Sequence, residues 1–243
     1  MAGHSKWNNI KHRKGAQDKK KAKIFQRLVK EIYQAAKDGG SDIETNSALR
    51  LAVDNARENN MPKDNIDRAI KRATDPSASA NYSEVIYEGY GPNGVAVLVE
   101  SLTDNTNRTS TNVRTAFTKN GGTLGEKGSV GYMFEHKGYI VIEREDLEID
   151  EDTMLMTVLE LGGEDLETSE QVFEIYTARE DFAAVRDGLK EDYELAEAEL
   201  TMIPTMHVDI DESTAETIHK LVETLEEDDD VNDVYHNANF PEE

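Results

Sequence analysis

The sequence predicts an α+β protein of several domains, in which an N-terminal three-helix bundle precedes two α/β sandwiches of the ferredoxin-like, split βαβ type. Two observations carry this prediction. Apolar residues recur at helical spacing up to about residue 73 and at an alternating, strand-like spacing after residue 82. From residue 137 onward the expected elements follow the order β, α, β, β, α, β, which is the order of a split βαβ sandwich.

Three amphipathic segments form the expected bundle. The first, residues 19–38, carries an apolar stripe that includes Leu28 and Ile32, and it ends at Gly39-Gly40. The second runs from about residue 45 to residue 60, and the third begins at Asp64, whose side chain can cap it. Residues 74–80 are small, apolar-poor and broken by proline, as a linker requires. The first domain is therefore expected to comprise residues 1–80.

Strand-like runs follow the linker and alternate with helical segments. They lie at residues 84–88, 95–102, 139–143, 172–177 and 196–202. Near the C-terminus a strand at 206–210, a helix at 213–225 and a strand at 231–236 have no partners of their own, so we expect them to complete the sheet that begins at residue 82. The second domain would then comprise residues 81–135 and 205–243, with residues 136–204 inserted into it as a third, ferredoxin-like domain.

The composition excludes several classes of protein. The 243 residues include no cysteine, which excludes disulfides, thiolate catalysis and thiolate metal sites. No apolar run approaches the roughly 20 residues that span a bilayer, and the first seven residues lack the apolar stretch of a secretory signal. We therefore expect a cytoplasmic protein with no membrane partner, and the sequence leaves its oligomeric state open.

Glycine-rich segments and histidines suggest cofactor or catalytic sites, but their context is unsuitable. Residues 89–94 have the spacing of a dinucleotide fingerprint, yet a β-branched strand follows them where a helix is needed, which favours a hairpin loop. Residues 121–128 lack the spacing of a phosphate-binding loop, and the six histidines lack metal-ligand spacing. We predict no cofactor, no metal site and no catalytic residue, and so a protein that is not an enzyme.

Charge is sorted along the chain. Residues 1–72 contain 17 basic and 9 acidic side chains, whereas residues 73–243 contain 10 basic and 41 acidic ones. This asymmetry indicates a polyanion partner that meets the basic end, with the acidic bulk facing away from it. We expect residues 1 to about 80 to hold most of the nucleic-acid affinity and the acidic remainder not to bind. The acidic run 226–230 is interpreted as a solvated, charged loop.

The first 27 residues combine cations with rings that can stack on unpaired bases, a mixture suited to structured RNA or single strands. The turn at residues 61 and 62, interpreted as an exposed, rigid tip, is a candidate for the same partner. Trp7 is equally expected to pack into the core of the bundle instead of contacting nucleic acid. The turn at residues 61 and 62 is equally expected to be a plain interhelical turn with no role in binding. The predicted nucleic-acid-binding residues are His4, Ser5, Lys6, Trp7, Lys11, His12, Arg13, Lys14, Lys19, Lys20, Lys21, Lys23, Arg27, Met61, Pro62 and Asn65.

Five segments of the sequence resemble the bacterial YebC family, whose relatives include the mitochondrial translational activator of cytochrome oxidase subunit I. The resemblance runs nearly end to end, and it implies a helical domain, two α/β domains and control of gene expression without catalysis. Some members are labelled DNA-binding transcriptional regulators, and others look like translation factors that act on ribosomes stalled at proline-rich stretches. The segments are Met1 to Trp7, Asn60 to Pro62, Asn65 to Ile70, Tyr87 to Pro92 and Thr103 to Thr109.

Three hypotheses follow. The first is a ribosome-associated translation factor that binds ribosomal RNA and relieves stalling at proline-rich sequences. The alternative is a regulator of transcription that binds duplex DNA, which is weaker because no helix shows a clear helix-turn-helix recognition pattern and the basic arm carries stacking rings. A hydrolase with an acidic cleft is the third, and the sequence identifies no nucleophile, metal set or base for it.

Overall fold

The computed structural model describes residues 17–145 and 147–241, with side chains from Ala22 onward. These residues divide into two compact units. The first unit comprises residues 17–131 and 213–236, and the second comprises the described part of residues 132–212 together with residues 237–241. Within the described part of the chain, no helix is both long enough and apolar enough to cross a membrane.

The described residues form seven α-helices and ten strands. The helices are α1 (Gln17–Gly39), α2 (Ser47–Glu58), α3 (Lys63–Ala73), α4 (Thr106–Lys119), α5 (Glu151–Leu161), α6 (Phe182–Leu189) and α7 (Glu212–Glu226). The strands are β1 (Ser83–Tyr90), β2 (Ala96–Thr103), β3 (Thr123–Leu124), β4 (Phe134–Glu143), β5 (Asp165–Thr168), β6 (Val172–Thr177), β7 (Glu197–Pro204), β8 (Val208–Asp209), β9 (Val231–His236) and β10 (Ala238–Asn239).

Helices α1, α2 and α3 pack around one apolar core, as the helical spacing predicted. Leu28 and Ile32 of α1 and Leu49 and Val53 of α2 are fully buried in it. Asn46 fixes the start of α2, because its side-chain oxygen accepts a hydrogen bond from the N–H of Leu49 at 3.0 Å. The predicted order of N-terminal helices followed by sheet domains is therefore confirmed.

A four-stranded sheet with the order β3-β1-β2-β9 forms the rest of the first unit, and its neighbouring strands are antiparallel. Strand β9 comes from the end of the chain, so this part of the C-terminal segment completes the early sheet as expected. The strand near residues 206–210 does not. It is reduced to β8, which pairs in parallel with β10 in the second unit. Two residues are too few for an alternating pattern to specify a neighbour, and that expectation was wrong.

The second unit has the split βαβ order, β4-α5-β5-β6-α6-β7. Its sheet order is β5-β6-β4-β7, with antiparallel pairing throughout. Apolar residues of β4 and β6 pack against both helices in one core, where Ile140 and Phe173 meet Val158 of α5 and Val185 of α6. The ferredoxin-like arrangement predicted from element order is confirmed for this unit.

Strands β1 and β2 form a hairpin joined by residues 91–95, so the glycine-rich stretch 89–94 covers the end of β1 and most of the loop, as expected from the failed dinucleotide fingerprint. Asn93 and Gly94 both have a left-handed backbone, with φ of 56° and 75°. Gly89 is required by close packing, because a Cβ atom there would lie 2.7 Å from the ring of Phe117. The glycines therefore serve the turn and the packing of the sheet.

Glu88, on β1, holds the loop that follows β3. Its carboxylate is only 6% exposed and accepts hydrogen bonds from the backbone N–H groups of Gly128, Val130 and Gly131 at 2.7, 2.8 and 2.6 Å. Burial raises the pKa of Glu88, but the three backbone donors together with Lys127 lower it by more, so the pKa lies below its ordinary value. The ionised form is the one that the loop stabilises.

Replacing Glu88 with Gln is expected to reduce the free energy of unfolding at neutral pH by about 1–3 kcal/mol, because an amide cannot accept from all three donors. A depressed folded pKa stabilises the protein above the ordinary pKa, and this contribution is lost as pH falls below about 4.5. The difference between wild type and variant in urea unfolding should therefore shrink below that pH.

Glu126→Gln is the matched control, since Glu126 is exposed in the same loop. A Glu88→Gln difference as small as that of the control, or one that stays constant down to pH 3, would contradict the assigned role of the carboxylate.

Candidate nucleic-acid interface

Part of the predicted site lies outside the described residues. The backbone of Lys19, Lys20 and Lys21 belongs to α1, but their side chains are not described. The residues of the predicted site that fall wholly outside are His4, Ser5, Lys6, Trp7, Lys11, His12, Arg13 and Lys14. The structure describes the side chains of Lys23, Arg27, Met61, Pro62 and Asn65.

Lys23 and Arg27 contact β9 and the turn that leads into it. The Lys23 ammonium donates to the carbonyl oxygens of Asp228 and Val231 at 3.1 and 2.9 Å. Burial lowers the pKa of Lys23, while the surrounding carboxylates oppose that shift. Arg27 donates to Asp233 at 3.0 Å and lies 3.3 Å from Glu31. Both side chains thus have intramolecular partners, which the sequence prediction did not foresee.

Lys30, which the sequence prediction omitted, continues the same face of α1, because positions 23, 27 and 30 lie one helical turn apart. Its ammonium donates to the carbonyl oxygens of Leu102 and Asp229 at 3.0 and 2.7 Å. It also lies 3.3 Å from the carboxylate of Asp230. The i, i+4, i+7 spacing of the three cations was the signal in the sequence that could have identified a docking face.

The carboxylate of Asp230 is the centre of this contact and is only 4% exposed. Its Oδ2 atom accepts hydrogen bonds from the hydroxyls of Thr103 at 3.2 Å and Thr109 at 3.0 Å. It also accepts a hydrogen bond from the guanidinium of Arg108. We call Lys30, Thr103, Arg108, Thr109 and Asp230 the Asp230 cluster. Burial raises the pKa of Asp230, but the hydrogen bonds from Arg108 and Thr109 and the charge of Lys30 lower it by more, so its net pKa is below the ordinary value.

The cluster changes two sequence interpretations. Thr103, Arg108 and Thr109 belong to the distinctive segment 103–109, whose role in the structure is to hold Asp230 and to start α4. The acidic run 226–230 was interpreted as a solvated loop. This interpretation holds for Asp229, which is exposed. It is wrong for Asp230, which is buried and accepts hydrogen bonds from side chains of α1, β2 and α4.

Met61 was interpreted as an exposed tip, and this is wrong. Its side chain is 5% exposed and belongs to the core of the bundle. Asn60 has a left-handed backbone with φ of 58°, and the N–H of Met61 donates to the carbonyl of Ala56 at 2.9 Å. The turn therefore directs Met61 inward, which favours the plain interhelical turn, while Pro62 stays exposed.

The outward surface beside Pro62 is the N-terminal part of α3. Asn65 accepts a hydrogen bond from Arg68 at 2.7 Å and so orients that guanidinium. Arg72, one turn further on, stacks over the ring of Tyr33 with 5.8 Å from its guanidinium carbon to the ring centre. The cations Lys63, Arg68, Lys71 and Arg72, which the sequence prediction did not include, are all exposed near the predicted residues Pro62 and Asn65.

No group of three or more histidine or carboxylate side chains in the described ranges is arranged to hold a metal ion. The carboxylates that the structure does concentrate, around Asp230, are engaged by cations and hydroxyls. The described geometry thus consists of ion pairs, caps and an exposed helix, α3, that carries four cations and two acids.

Two models of one family match nearly the whole chain. The model described as the TACO1/YebC protein N-terminal domain matches residues 5–76, and the model described as the TACO1/YebC second and third domain matches residues 82–238. A protein of Enterococcus faecalis named "Probable transcriptional regulatory protein" is 61% identical over 98% of this chain and 99% of its own length. A Bacillus subtilis relative with the same description, YrbC, is 52% identical over 98% of this chain and 99% of its own.

The fold is also similar to a solved structure. The crystal structure of a conserved hypothetical protein from Aquifex aeolicus matches with a TM-score of 0.72 and 43% sequence identity, covering 91% of each chain.

Replacing Asp230 with Asn is expected to lower the free energy of unfolding by about 1.5–3 kcal/mol, because Lys30 and Arg108 are then left without their shared charged acceptor. Urea denaturation measures the difference. Asp229→Asn removes the same charge one residue away at an exposed position and should change stability by about 0.5 kcal/mol or less. Equal effects of the two substitutions would show that the Asp230 cluster is not a stabilising centre.

Replacing Met61 with Ala is expected to cost about 2–5 kcal/mol, since it removes a buried side chain from the bundle core. Pro62→Ala, at the exposed neighbour, should cost at most about 1 kcal/mol, through the greater freedom of the unfolded chain. Thermal and urea unfolding of both variants test this order. A smaller effect of Met61→Ala than of Pro62→Ala would contradict the inward placement of Met61.

Proposed function

This chain belongs to the TACO1/YebC family, and from that premise we propose that it is a non-enzymatic, nucleic-acid-binding regulator of gene expression. We assign it the role of a cytoplasmic, ribosome-associated translation factor that binds ribosomal RNA and relieves stalling at proline-rich sequences. The observation that carries the proposal is the sorting of charge, with 17 basic and 9 acidic residues up to residue 72 against 10 and 41 beyond it.

The intramolecular contacts of α1 limit which cations serve a partner. Lys23, Arg27 and Lys30 lie on one face of the helix and bind β9, the turn before it and the end of β2. Lys19, Lys20 and Lys21 are consecutive, and consecutive positions of an α-helix are about 100° apart. Around the helix, Lys19 lies about 40° and Lys20 about 60° from Lys23, on or beside that face, whereas Lys21 lies about 160° away. Lys21, and Lys20 at the edge of the face, are therefore better suited than the spaced cations to contact phosphates of a bound RNA.

The exposed face of α3 supports a second part of the same contact. Lys63, Arg68 and Lys71 project from it, and Pro62 gives the preceding turn a fixed backbone angle. Met61 supports this surface from inside the bundle and does not itself meet the partner. In the proposed complex, cations on α3 neutralise phosphates and the rigid turn at Pro62 fits the shape of the RNA surface.

The alternative function is transcriptional control through duplex DNA. The names of the bacterial relatives favour it. Helices α2 and α3, joined by a short turn, are the pair that would enter the major groove. However, the exposed N-terminal half of α3 carries Asp64 and Asp67, which repel phosphates at the end where a recognition helix reads bases. These acids would repel the phosphates of RNA and DNA alike, so the preference for RNA rests on the missing helix-turn-helix recognition pattern and on the stacking rings His4, Trp7 and His12.

The double substitution Lys20→Ala/Lys21→Ala is expected to weaken sedimentation of the full-length protein with ribosomes. The log-log salt dependence of binding should decrease by about 0.7 for each phosphate that the variant no longer neutralises, or about 1.4 for two. In reconstituted translation, saturating wild-type protein should raise synthesis of a proline-rich reporter and leave a proline-free reporter unchanged. The double variant should rescue at a higher concentration only.

The matched control is Lys190→Ala/Lys220→Ala, which removes two exposed lysines elsewhere and should behave as wild type. Rescue of neither reporter by the wild type would reject the translation role. Displacement of the protein from ribosomes by an equimolar amount of duplex DNA would favour the transcriptional alternative. If the control variant lowered the salt dependence of ribosome binding as much as Lys20→Ala/Lys21→Ala does, binding would depend on the net charge of the protein and not on these two lysines.

A further inference from the structure

A segment of the first unit is free of acids in a part of the chain that is otherwise strongly acidic. Of the 171 residues after residue 72, 41 are acidic, which is about one in four. The 21 residues from Asn105 to Gly125 include no acidic residue. The segment comprises α4, its N-cap Asn105 and the turn into β3. It carries three cations, Arg108, Arg114 and Lys119. A local positive surface therefore lies on a domain expected from its sum of charges to repel nucleic acid.

Two of these cations are available to a partner. Arg108 is paired with Asp104 and with Asp230 of the cluster. Arg114 and Lys119 are exposed, and neither makes an ion pair with any other residue that the structure describes. Both lie in the C-terminal half of α4, away from those two aspartates. Their charge is thus not cancelled within the molecule.

The exposed stripe of α4 has an unusual composition for a surface helix. Asn107, Thr111, Arg114 and Thr118 follow one another at spacings of four, three and four, and Thr115 and Lys119 flank them. Threonine is a poor helix former, and exposed helix positions ordinarily carry better ones, such as Glu, Lys or Ala. Packing does not explain the choice, because the core side of α4 uses other residues, among them Val113 and Phe117.

The threonine hydroxyls are suited to bind a polar backbone. Those of Thr111, Thr115 and Thr118 donate to the carbonyl four residues earlier at 2.8, 2.7 and 2.9 Å. Those carbonyls are also the acceptors of the helical N–H bonds, so the hydroxyls can turn outward without leaving a helix carbonyl unpaired. Short side chains also let a phosphate-sugar backbone approach the helix closely. Hydroxyls and amides donate and accept, which matches the ribose 2′-hydroxyl of RNA.

We propose that the exposed face of α4, with Arg114 and Lys119 as its cations and Asn107, Thr111, Thr115 and Thr118 as its polar contacts, is a second RNA-backbone-binding surface. This deepens the proposed function and rests on it, since it gives the same RNA a second contact. It also revises the expectation that the acidic remainder of the chain contributes no binding. The surface reads no base sequence, because its groups match phosphate and ribose.

The test uses the full-length protein and a labelled RNA stem-loop, with duplex DNA of the same length in parallel. Arg114→Glu/Lys119→Glu should weaken RNA binding in 0.1 M salt by about 25-fold, because two phosphates are no longer neutralised, and it should lower the log-log salt slope by about 1.4. The control, Lys190→Glu/Lys220→Glu, makes the same change of net charge at two exposed sites. It should have a much smaller effect and leave the slope unchanged.

A second variant separates binding from folding. Thr111→Ala/Thr115→Ala/Thr118→Ala places the best helix former at three exposed positions and should raise the melting temperature. It should nevertheless weaken RNA binding by about threefold for each hydroxyl that contacts the RNA. Higher stability combined with lower affinity supports a binding role, which a purely structural role of these threonines would not produce.

The outcomes are distinguishable from failure of the proposed function. Weaker binding by Lys20→Ala/Lys21→Ala, combined with Arg114→Glu/Lys119→Glu behaving as its control, would overturn the α4 surface alone. A wild-type protein that does not bind the RNA would overturn both proposals. A charge-reversed variant with reduced affinity for duplex DNA but unchanged affinity for RNA would overturn the assignment of RNA to this surface.

Discussion

One buried carboxylate, that of Asp230, sets the arrangement of the first unit. A carboxylate that is only 4% exposed is tolerated when cations balance it and donors reach its oxygens. Lys30 of α1, Thr103 at the end of β2, and Arg108 and Thr109 of α4 meet this requirement together. The bundle, the sheet and α4 are therefore held by one charge. Removing it would leave two cations without their shared acceptor, which costs more than breaking an ordinary surface ion pair.

The same requirement divides the basic residues of α1 between two tasks. Cations at i, i+4 and i+7 share a helix face and can bind a neighbouring part of the protein, as Lys23, Arg27 and Lys30 do. Their charges are thereby partly cancelled by Asp233 and Asp230. A sum of 17 basic residues in the first 72 thus overstates the charge that a partner meets. The charge open to a partner is that of the remaining cations, among them Lys63, Arg68 and Lys71 on the outer side of α3.

The bundle and the split βαβ order were predictable because helical and alternating spacings are local signals, and the described fold confirms both. The docking of α1 was not predictable, since it joins residues about 200 positions apart, such as Lys23 and Asp228. Met61 was misplaced because an apolar residue before proline was taken to form an exposed tip, whereas the left-handed Asn60 turns it inward. The RNA-contact residues before residue 17 remain a prediction. The acid-free segment from Asn105 to Gly125 was missed because charge summed over 171 residues conceals a gap of 21.

The net charge of a domain and the charge on the surface of one of its helices affect binding in different ways, and the first unit shows the difference. Arg108 and Arg114 stand six residues apart in α4 and are both exposed, yet Arg108 is paired with Asp104 and Asp230, whereas Arg114 has no ion pair with any residue that the structure describes. Long-range attraction depends on the sum, which is negative for this part of the chain. Contact depends on the individual side chain within a few ångströms of a phosphate, where a cation with no acid beside it acts at full strength. A partner attracted first to the basic end of the chain can thus reach α4 at close range, despite the acidic residues that surround it.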